Sequence, residues 1–561
     1  VSAEAAETDV GQEPVDFGGS PWRQALGILA AMTALRLLLA VVVPLFPDET
    51  YYWDWSRHLA GGYFDHPPVI AWLIAGGTAL LGDTRLGVRI LPILAGTAGG
   101  LALILTACHF AGSRGARYAS VVFAVIPLAI LGLTLATPDA PLLAGIAWSL
   151  YAVVRALDEP IGSRGGRRWW LIAGLAIGLA MASKFTAVFI PIGLLVAFAW
   201  HAPLRPRFRD PGAWIAVGVA SLVMVPVLLW NAGHDWIAFR FQLDHALVPV
   251  ARGTWYNREL ELIGGQAALL TPILFVLVVG AIWRSLRVAR GGAATRSPGR
   301  WPAAAPSESA PPAGTPADPG SASGASHDSV RLTLAVVAAF CLAFFLYSAI
   351  RKGVSANWPA IAWLPGIVLL GAARRGVRTA WERRGAWLAL ALTVPLYVHV
   401  VVPWLPLPPA RDQVSKAHGW DALALSVDSA RRAIETAEGR PPGSVPIAAN
   451  RYQDASMLAF HLPGHPEVPA LNLGGRPNQY ELWPNFTQDP RPGLTVLLVL
   501  ELPRDSVPGP IRRLRPYFAS VTPGPFIPLK RGDVELGQRR LWILTGWTGT
   551  WPDPRAPLSP P

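Results

Sequence analysis

The run ALGILAAMTALRLLLAVVVPLF (residues 25–46), followed at once by PDETYYW (47–53), decides how the rest of the chain is read. The first part is apolar throughout except for Arg36, and a hydrocarbon core takes ~20 residues of helix to cross. The second part sets Asp48 and Glu49 beside Tyr51, Tyr52 and Trp53, where that stretch ends. Further apolar runs follow at 86–110, 117–135, 140–156, 169–183, 185–200, 212–230, 265–283, 331–349, 356–372 and 386–404. They predict an all-α polytopic membrane domain over 25–404 with about eleven transmembrane helices. Composition agrees, because 52% of residues are hydrophobic and only 15% charged, at a mean hydropathy of +0.36. A soluble domain carries roughly a quarter charged residues.

Residues 1–24 form a polar, acidic tail (Glu4, Glu7, Asp9, Glu13, Asp16). It has neither the basic start nor the small-residue cleavage site of a signal peptide, so the first run is expected to be retained as a helix. The net charge of +12 does not gather on one face, which argues against a nucleic-acid partner. The arginines sit in every second connection: Arg114 and Arg117; Arg164, Arg167 and Arg168; Arg205, Arg207 and Arg209; Arg284, Arg287 and Arg290; then Arg374, Arg375, Arg378, Arg383 and Arg384. The positive-inside rule then predicts a cytoplasmic N-terminus and a non-cytoplasmic segment after about residue 405. Residues 291–329, rich in Ala, Pro, Gly and Ser, read as a flexible cytoplasmic linker. Residues 405–561 read as a soluble non-cytoplasmic α/β domain, with an amphipathic helix at 421–438 and strands at 495–500 and 540–544. Cys108 and Cys341 lie inside apolar runs and give neither a metal spacing nor a disulfide framework.

On this threading the outer loops, 47–85 and 231–264, hold the chemistry. The first carries Asp48, Glu49, Tyr52, Tyr63, Asp65, His66 and a Pro67–Pro68 pair; the second carries His234, Asp235, Asp244 and His245. Thr137-Pro138-Asp139, Lys184 and the Arg351–Lys352 pair fall on the same face. Ionisable groups at a bilayer boundary are costly and often mark function. A carboxylate can take a proton from an acceptor hydroxyl, cations or a metal ion can hold a departing phosphate, and aromatic rings can stack on a sugar. Structural roles compete. Glu49 could hydrogen-bond the loop backbone, Asp139 could cap a helix, Asp65 could form a salt bridge, and Lys184 could snorkel to the interface. His234 and His245 could be merely solvated. Trp169, Trp170, Trp200 and Trp230 read as interfacial anchors.

Asp48-Glu49, Tyr63-Phe64-Asp65-His66-Pro67-Pro68 and Val88-Arg89 together resemble the first outer loop of glycosyltransferase family 39. That family comprises the protein O-mannosyltransferases and their bacterial relatives, with the lipid A 4-amino-arabinose transferase as a cousin. Thr137-Pro138-Asp139, Ser183-Lys184, His234-Asp235-Trp236 through Phe241-Gln242, and Arg351-Lys352 through Asn357-Trp358-Pro359 extend the resemblance in order. Asn450-Arg451-Tyr452 and Pro477-Asn478-Gln479-Tyr480 resemble the C-terminal domain of bacterial members. The resemblance implies a GT-C fold in a bacterial inner membrane, a polyprenyl-phosphate sugar donor as co-substrate, and inversion at the anomeric carbon. The acceptor would be an envelope glycan, a lipid or a protein. Asp48 would be the catalytic carboxylate, with Asp139 a second acid and Glu49 beside them. Lys184, Arg351, Lys352 and His66 would face the donor phosphate, although His66 stands where the cousin carries lysine. Tyr52, Tyr63 and Asn357 would contact substrate, and Asp65 with His245 would match positions that hold a divalent metal ion.

Two rivals remain on sequence grounds. A transporter or flippase of an amphiphilic lipid-linked anion would place ionisable groups along several spans, whereas here Arg36 is the obvious mid-span charge. A non-catalytic envelope assembly factor would tolerate degenerate outer-loop acids, and these are intact.

Overall fold

The computed structural model describes residues 19–247, 254–294, 319–372, 380–473, 476–488, 492–501 and 509–551. The first apolar run forms α1 (Ser20–Val42). Pro47 then opens α2 (Pro47–Ser56), with Asp48 and Glu49 in its first turn, where carboxylates suit the helix dipole. After Pro67–Pro68 the chain forms α3 (Val69–Leu81). The region expected as an outer loop over 47–85 is therefore mostly two short helices. The aromatic run 51–55 did not signal a helix, because its rings are chosen for burial against another domain.

The next helix, α4 (Arg85–Val125), is one element only by its hydrogen bonds, since Ala111 and Gly112 break it and Gly112 has φ 62°. Helices α5 (Pro127–Thr134), α6 (Asp139–Asp158), α7 (Arg164–Met181), α8 (Phe189–Trp200) and α9 (Pro211–Gly233) complete the first half. Close packing here relies on small residues. A Cβ on Gly174 would lie 2.4 Å from the Ala216 carbonyl oxygen, and one on Gly99 would lie 2.8 Å from the Ala144 Cα. So α7 meets α9, and α4 meets α6, nearly backbone to backbone.

The second half comprises α10 (Ile237–Leu247), α11 (Trp255–Leu270), α12 (Pro272–Ala294), α13 (Pro319–Arg351), α14 (Ala360–Ala372) and α15 (Ala380–Val401). Much of the expected outer loop 231–264 is thus helical, apart from a turn at 234–236 and Thr254 before α11, and 248–253 lies outside the described residues. The expected span 265–283 is bent, because α11 and α12 meet at 102° around Thr271 and Pro272. Of the expected linker 291–329, both ends are helical, and 295–318 lies outside the described residues.

Among the described residues six helices are long and apolar enough to cross a membrane, or up to eight if each bent pair counts once. Leu38, Leu222 and Leu229 point outward on these helices, 61%, 70% and 68% exposed, as lipid contact requires. The chain is a multi-pass membrane protein.

The C-terminal region is α/β. Its elements are α16 (Trp420–Ala437), β1 (Ile447–Ala449), α17 (Tyr452–His461), β2 (Val496–Glu501), α18 (Gly509–Leu514), β3 (Phe518–Arg531) and β4 (Val534–Trp547). The sheet order is β1-β2-β4-β3, with β1 parallel to β2 and the other pairs antiparallel. Strand β3 was not expected, because Pro523 and Pro528 interrupt its sequence. It lies at the sheet edge with a register shift after Pro523, and edges and bulges are settings where a strand tolerates proline.

This domain is joined to the membrane domain through α2. Tyr51, Trp53 and Trp55 are buried in one apolar cluster with Trp420, Met457, Phe460 and Tyr480. Polar contacts fix the register. The Tyr480 hydroxyl donates to the buried Asp54 carboxylate at 2.6 Å, and the Phe64 N–H donates to the Gln479 side chain at 2.8 Å. The Thr50 and Ser456 hydroxyls share a hydrogen bond of 2.9 Å.

Candidate functional site

A cavity of about 1190 Å³ opens between the helices and the C-terminal domain. Its polar end is lined by Asp48, Tyr52, Asp65, His66, Asp139, Lys184, Asn357, Tyr452 and Arg476. Its other end is a long apolar groove between α7, α8 and α9, lined by Ile177, Leu195, Val217 and Leu228 and reaching Phe208 and Trp214. Along α7 the lining runs from Trp170 to Met181, with Lys184 just beyond at the polar end. Trp170, expected as an interfacial anchor, is instead buried in this wall, with its indole N–H held 3.1 Å from Asp210.

Asp48 projects from the first turn of α2. Solvent reaches it through the cavity, but protein walls it in closely, and this enclosure raises its pKa above the ordinary carboxylate value. The nearby Asp65 charge adds to the rise, while Lys416 and Arg476 offset part of it. Asp139 starts α6 and is held on both oxygens. Lys184 Nζ donates at 2.7 Å and the Asn357 amide at 2.8 Å, so three separate segments meet on one carboxylate. Lys184 lies at the tight turn after α7, with only 10% of its side chain exposed.

Glu49 does not line the cavity. It is fully buried against the equally buried Arg89 of α4, which donates from Nε at 2.7 Å and from Nη2 at 2.5 Å. Glu49 also accepts from the Phe46 N–H at 3.0 Å and the Ala136 N–H at 2.8 Å. Arg89 spends its remaining donors on the carbonyls of Ala40, Val43 and Pro44. This knot ties the end of α1 and the start of α2 to the segment leading into Asp139. Tyr63 likewise stays out of the cavity. It stacks on Trp55 at 4.4 Å, and its hydroxyl lies 3.0 Å from the carbonyls of Trp55 and His58.

The Arg351–Lys352 pair is not among the residues lining the cavity. Arg351 is exposed over Tyr347, and Lys352 is buried with its ammonium 5.8 Å from the ring of Trp358, which does line it. Burial pulls the Lys352 ammonium below the ordinary lysine value.

Asp65 is committed elsewhere than to a metal ion. Tyr51 donates to one oxygen at 2.7 Å, and the Arg476 guanidinium sits 2.7 Å from the other. A cation would have to displace another cation to bind there, so this arrangement does not fit a metal site. The His245 side chain lies outside the described residues. Among those described, no three His, Cys, Asp or Glu side chains gather as metal ligands.

Arg476 and Tyr452 come from the C-terminal domain. Sequence reading placed Tyr452 in a quoted motif but passed over Arg476, because an arginine in a soluble domain carries no topological signal. Arg89 was likewise quoted without a role.

Residues 65–230 match the family described as dolichyl-phosphate-mannose-protein mannosyltransferase. The resemblance to family 39 glycosyltransferases is borne out. Over 268 residues the chain is 31% identical to lipid A galacturonosyltransferase RgtD of Rhizobium johnstonii, covering 47% of this chain and 55% of that one. Over 241 residues it is 28% identical to undecaprenyl phosphate-alpha-4-amino-4-deoxy-L-arabinose arabinosyl transferase 1 of Pseudomonas fluorescens, covering 40% and 43% respectively. The chain thus spans about half the length of the curated relatives it matches. The fold is that of ArnT from Cupriavidus metallidurans, whose apo crystal structure matches with a TM-score of 0.57 at 14% identity over 94% of this chain and 99% of that one.

Proposed function

We propose that this chain is a membrane glycosyltransferase that moves a sugar from a polyprenyl-phosphate carrier to a hydroxyl of lipid A or lipopolysaccharide. The observation that carries this reading is the continuity of one cavity, which joins a polar end to a long apolar groove with Arg207 at its far end. An isoprenoid chain suits the groove and a phosphosugar suits the polar end. The names of the relatives, and an ArnT crystal structure bound to undecaprenyl phosphate, support the same pairing. We place the reaction on the non-cytoplasmic face of a bacterial inner membrane, with the eleven-span threading and cytoplasmic N-terminus that the arginine pattern favours.

In this mechanism the Asp48 carboxylate takes the acceptor hydroxyl's proton while that oxygen attacks the anomeric carbon. The bond from that carbon to the phosphate oxygen breaks, and its electron pair leaves with the phosphate. A single displacement from the opposite face inverts the configuration. Lys184, oriented by Asp139, whose other oxygen Asn357 holds, meets the growing phosphate charge. Tyr52 offers a ring to the sugar, and His66 stands beside the Asp139–Lys184 pair as a polar contact. Glu49 is assigned to positioning α2, Tyr63 to the loop behind it, and Lys352 to supporting Trp358. Arg351 faces outward, where lipid headgroups are its natural contact. No step is routed through a metal ion. The transport reading loses ground because, among the described lining residues, ionised groups cluster at the two ends of the groove rather than along it.

The test uses purified protein and radiolabelled undecaprenyl-phosphate donors carrying galacturonosyl or 4-amino-4-deoxy-arabinosyl groups, with lipid A as acceptor. Wild type should transfer label from at least one donor. Leu195→Trp, which narrows an exposed groove wall, should raise KM for the long-chain donor on the order of tenfold, the worth of about two buried methylene groups. A ten-carbon donor should feel it far less. Equal effects on both would detach the groove from the carrier, and no transfer from any donor would sink the assignment.

A further inference from the structure

Lys184 is the cation expected to meet the donor phosphate, yet it is already neutralised by Asp139 at 2.7 Å. With Asp48 and Asp65 also lining the polar end, an anionic substrate enters a site with a surplus of carboxylates. A second cation with donors to spare is needed there, and Arg476 has the required properties. It lines the cavity and pairs with Asp65 through Nη2, but 44% of its side chain remains exposed while its partner is 6% exposed. A guanidinium has five N–H donors in a rigid fork, so one carboxylate contact leaves capacity for an oxyanion.

Its placement is pre-set. The guanidinium lies 5.0 Å from the Phe241 ring centre and 5.7 Å from that of Tyr452, so an aromatic ring from each domain packs against it. The backbone that follows is pinned to the membrane domain, with the Gln479 N–H donating to the Tyr51 hydroxyl at 2.8 Å. Tyr51 in turn donates to Asp65, so the same tyrosine fixes both members of the ion pair. Such a side chain gives up little freedom on binding.

We infer that the C-terminal domain supplies Arg476 as a substrate-binding residue that takes an oxyanion at the cavity mouth, either the carrier phosphate or an anionic group on the acceptor. This rests on the proposed function. It assigns the soluble domain a direct part in that site: without Arg476 the cation set at the polar end is incomplete.

The experiment measures binding of undecaprenyl phosphate and of neutral undecaprenol to full-length wild type, Arg476→Ala, Arg476→Lys and Lys184→Ala, followed by KM for lipid A. If the carrier phosphate is the ligand, Arg476→Ala should weaken undecaprenyl phosphate on the order of 10-fold or more and leave undecaprenol unchanged, as expected for losing a charge-assisted contact. Arg476→Lys should recover part of the loss, because charge returns without the fork. If the acceptor supplies the oxyanion, carrier binding stays at the wild-type value and KM for lipid A rises instead. A fall in phosphate and undecaprenol binding alike would mean a merely structural role and would overturn the inference. So would an Arg476→Ala variant matching wild type in both arms while Lys184→Ala loses phosphate binding, an outcome that leaves the proposed function standing. Wild type that does not bind undecaprenyl phosphate would sink the proposed function itself.

Discussion

Asp48→Asn should lower the rate of sugar transfer by about 10²–10⁴-fold, the range a positioned general base contributes, with carrier binding largely retained. The amide keeps the size and hydrogen-bonding edges of the carboxylate but cannot accept the proton. The pH dependence of wild type supplies a second readout. Enclosure and the neighbouring Asp65 charge raise the Asp48 pKa, and the base works only when ionised. Transfer should therefore decline on acidification at a higher pH than an ordinary carboxylate would give, and level off above it. Asp65→Asn removes one of the charges responsible, so the acidic limb should move to lower pH. A profile unmoved in Asp65→Asn, or an Asp48→Asn variant turning over at the wild-type rate, would take Asp48 out of the chemistry.

Arg89→Met should be the most damaging single change to the fold. Glu49 and Arg89 are both completely buried, and removing the cation leaves an ionised carboxylate without its compensating charge, at a cost of about 3–5 kcal/mol. The carbonyls of Val43 and Pro44 lose their donor in the same step. The expected result is a marked fall in Tm in detergent and a poor yield of monodisperse protein. Glu49→Gln separates structure from chemistry. If Glu49 acts only through position, residual transfer in this variant should track the folded fraction. Full thermal stability with abolished transfer would return Glu49 to the reacting atoms.

The polytopic α-helical domain was legible because a helix that crosses a membrane must be apolar for most of its length, and such runs need no partner to be recognised. The helix at 420–437 was legible because its burial pattern is written in local periodicity, and strands β2 and β4 because each holds a short, continuous apolar run. Strand β3 was not, because the sheet edge that excuses Pro523 and Pro528 exists only once four strands are ordered. The same division runs through the site. Asp48, Asp139 and Lys184 were named from residue type and place in the chain, Asn357 only through the family resemblance, and they do meet in one cavity.

Glu49 shows where that reasoning stops. It is adjacent to Asp48, of the same charge and on the same short helix; a backbone hydrogen bond was one role open to it on sequence grounds, but residue type and position alone did not decide between that role and catalysis. One helical step rotates the side chain by about 100°, and that rotation turns Asp48 into the cavity and Glu49 onto Arg89. Arg476 is the converse case, a residue distant in the chain that reaches the site only because α2 is shared between two domains. By itself the sequence determined which segments are apolar enough to cross a membrane and which chemical groups are available at their ends. Which of those groups face the substrate was decided by packing, because direction and distance between remote side chains are properties of the assembled fold alone.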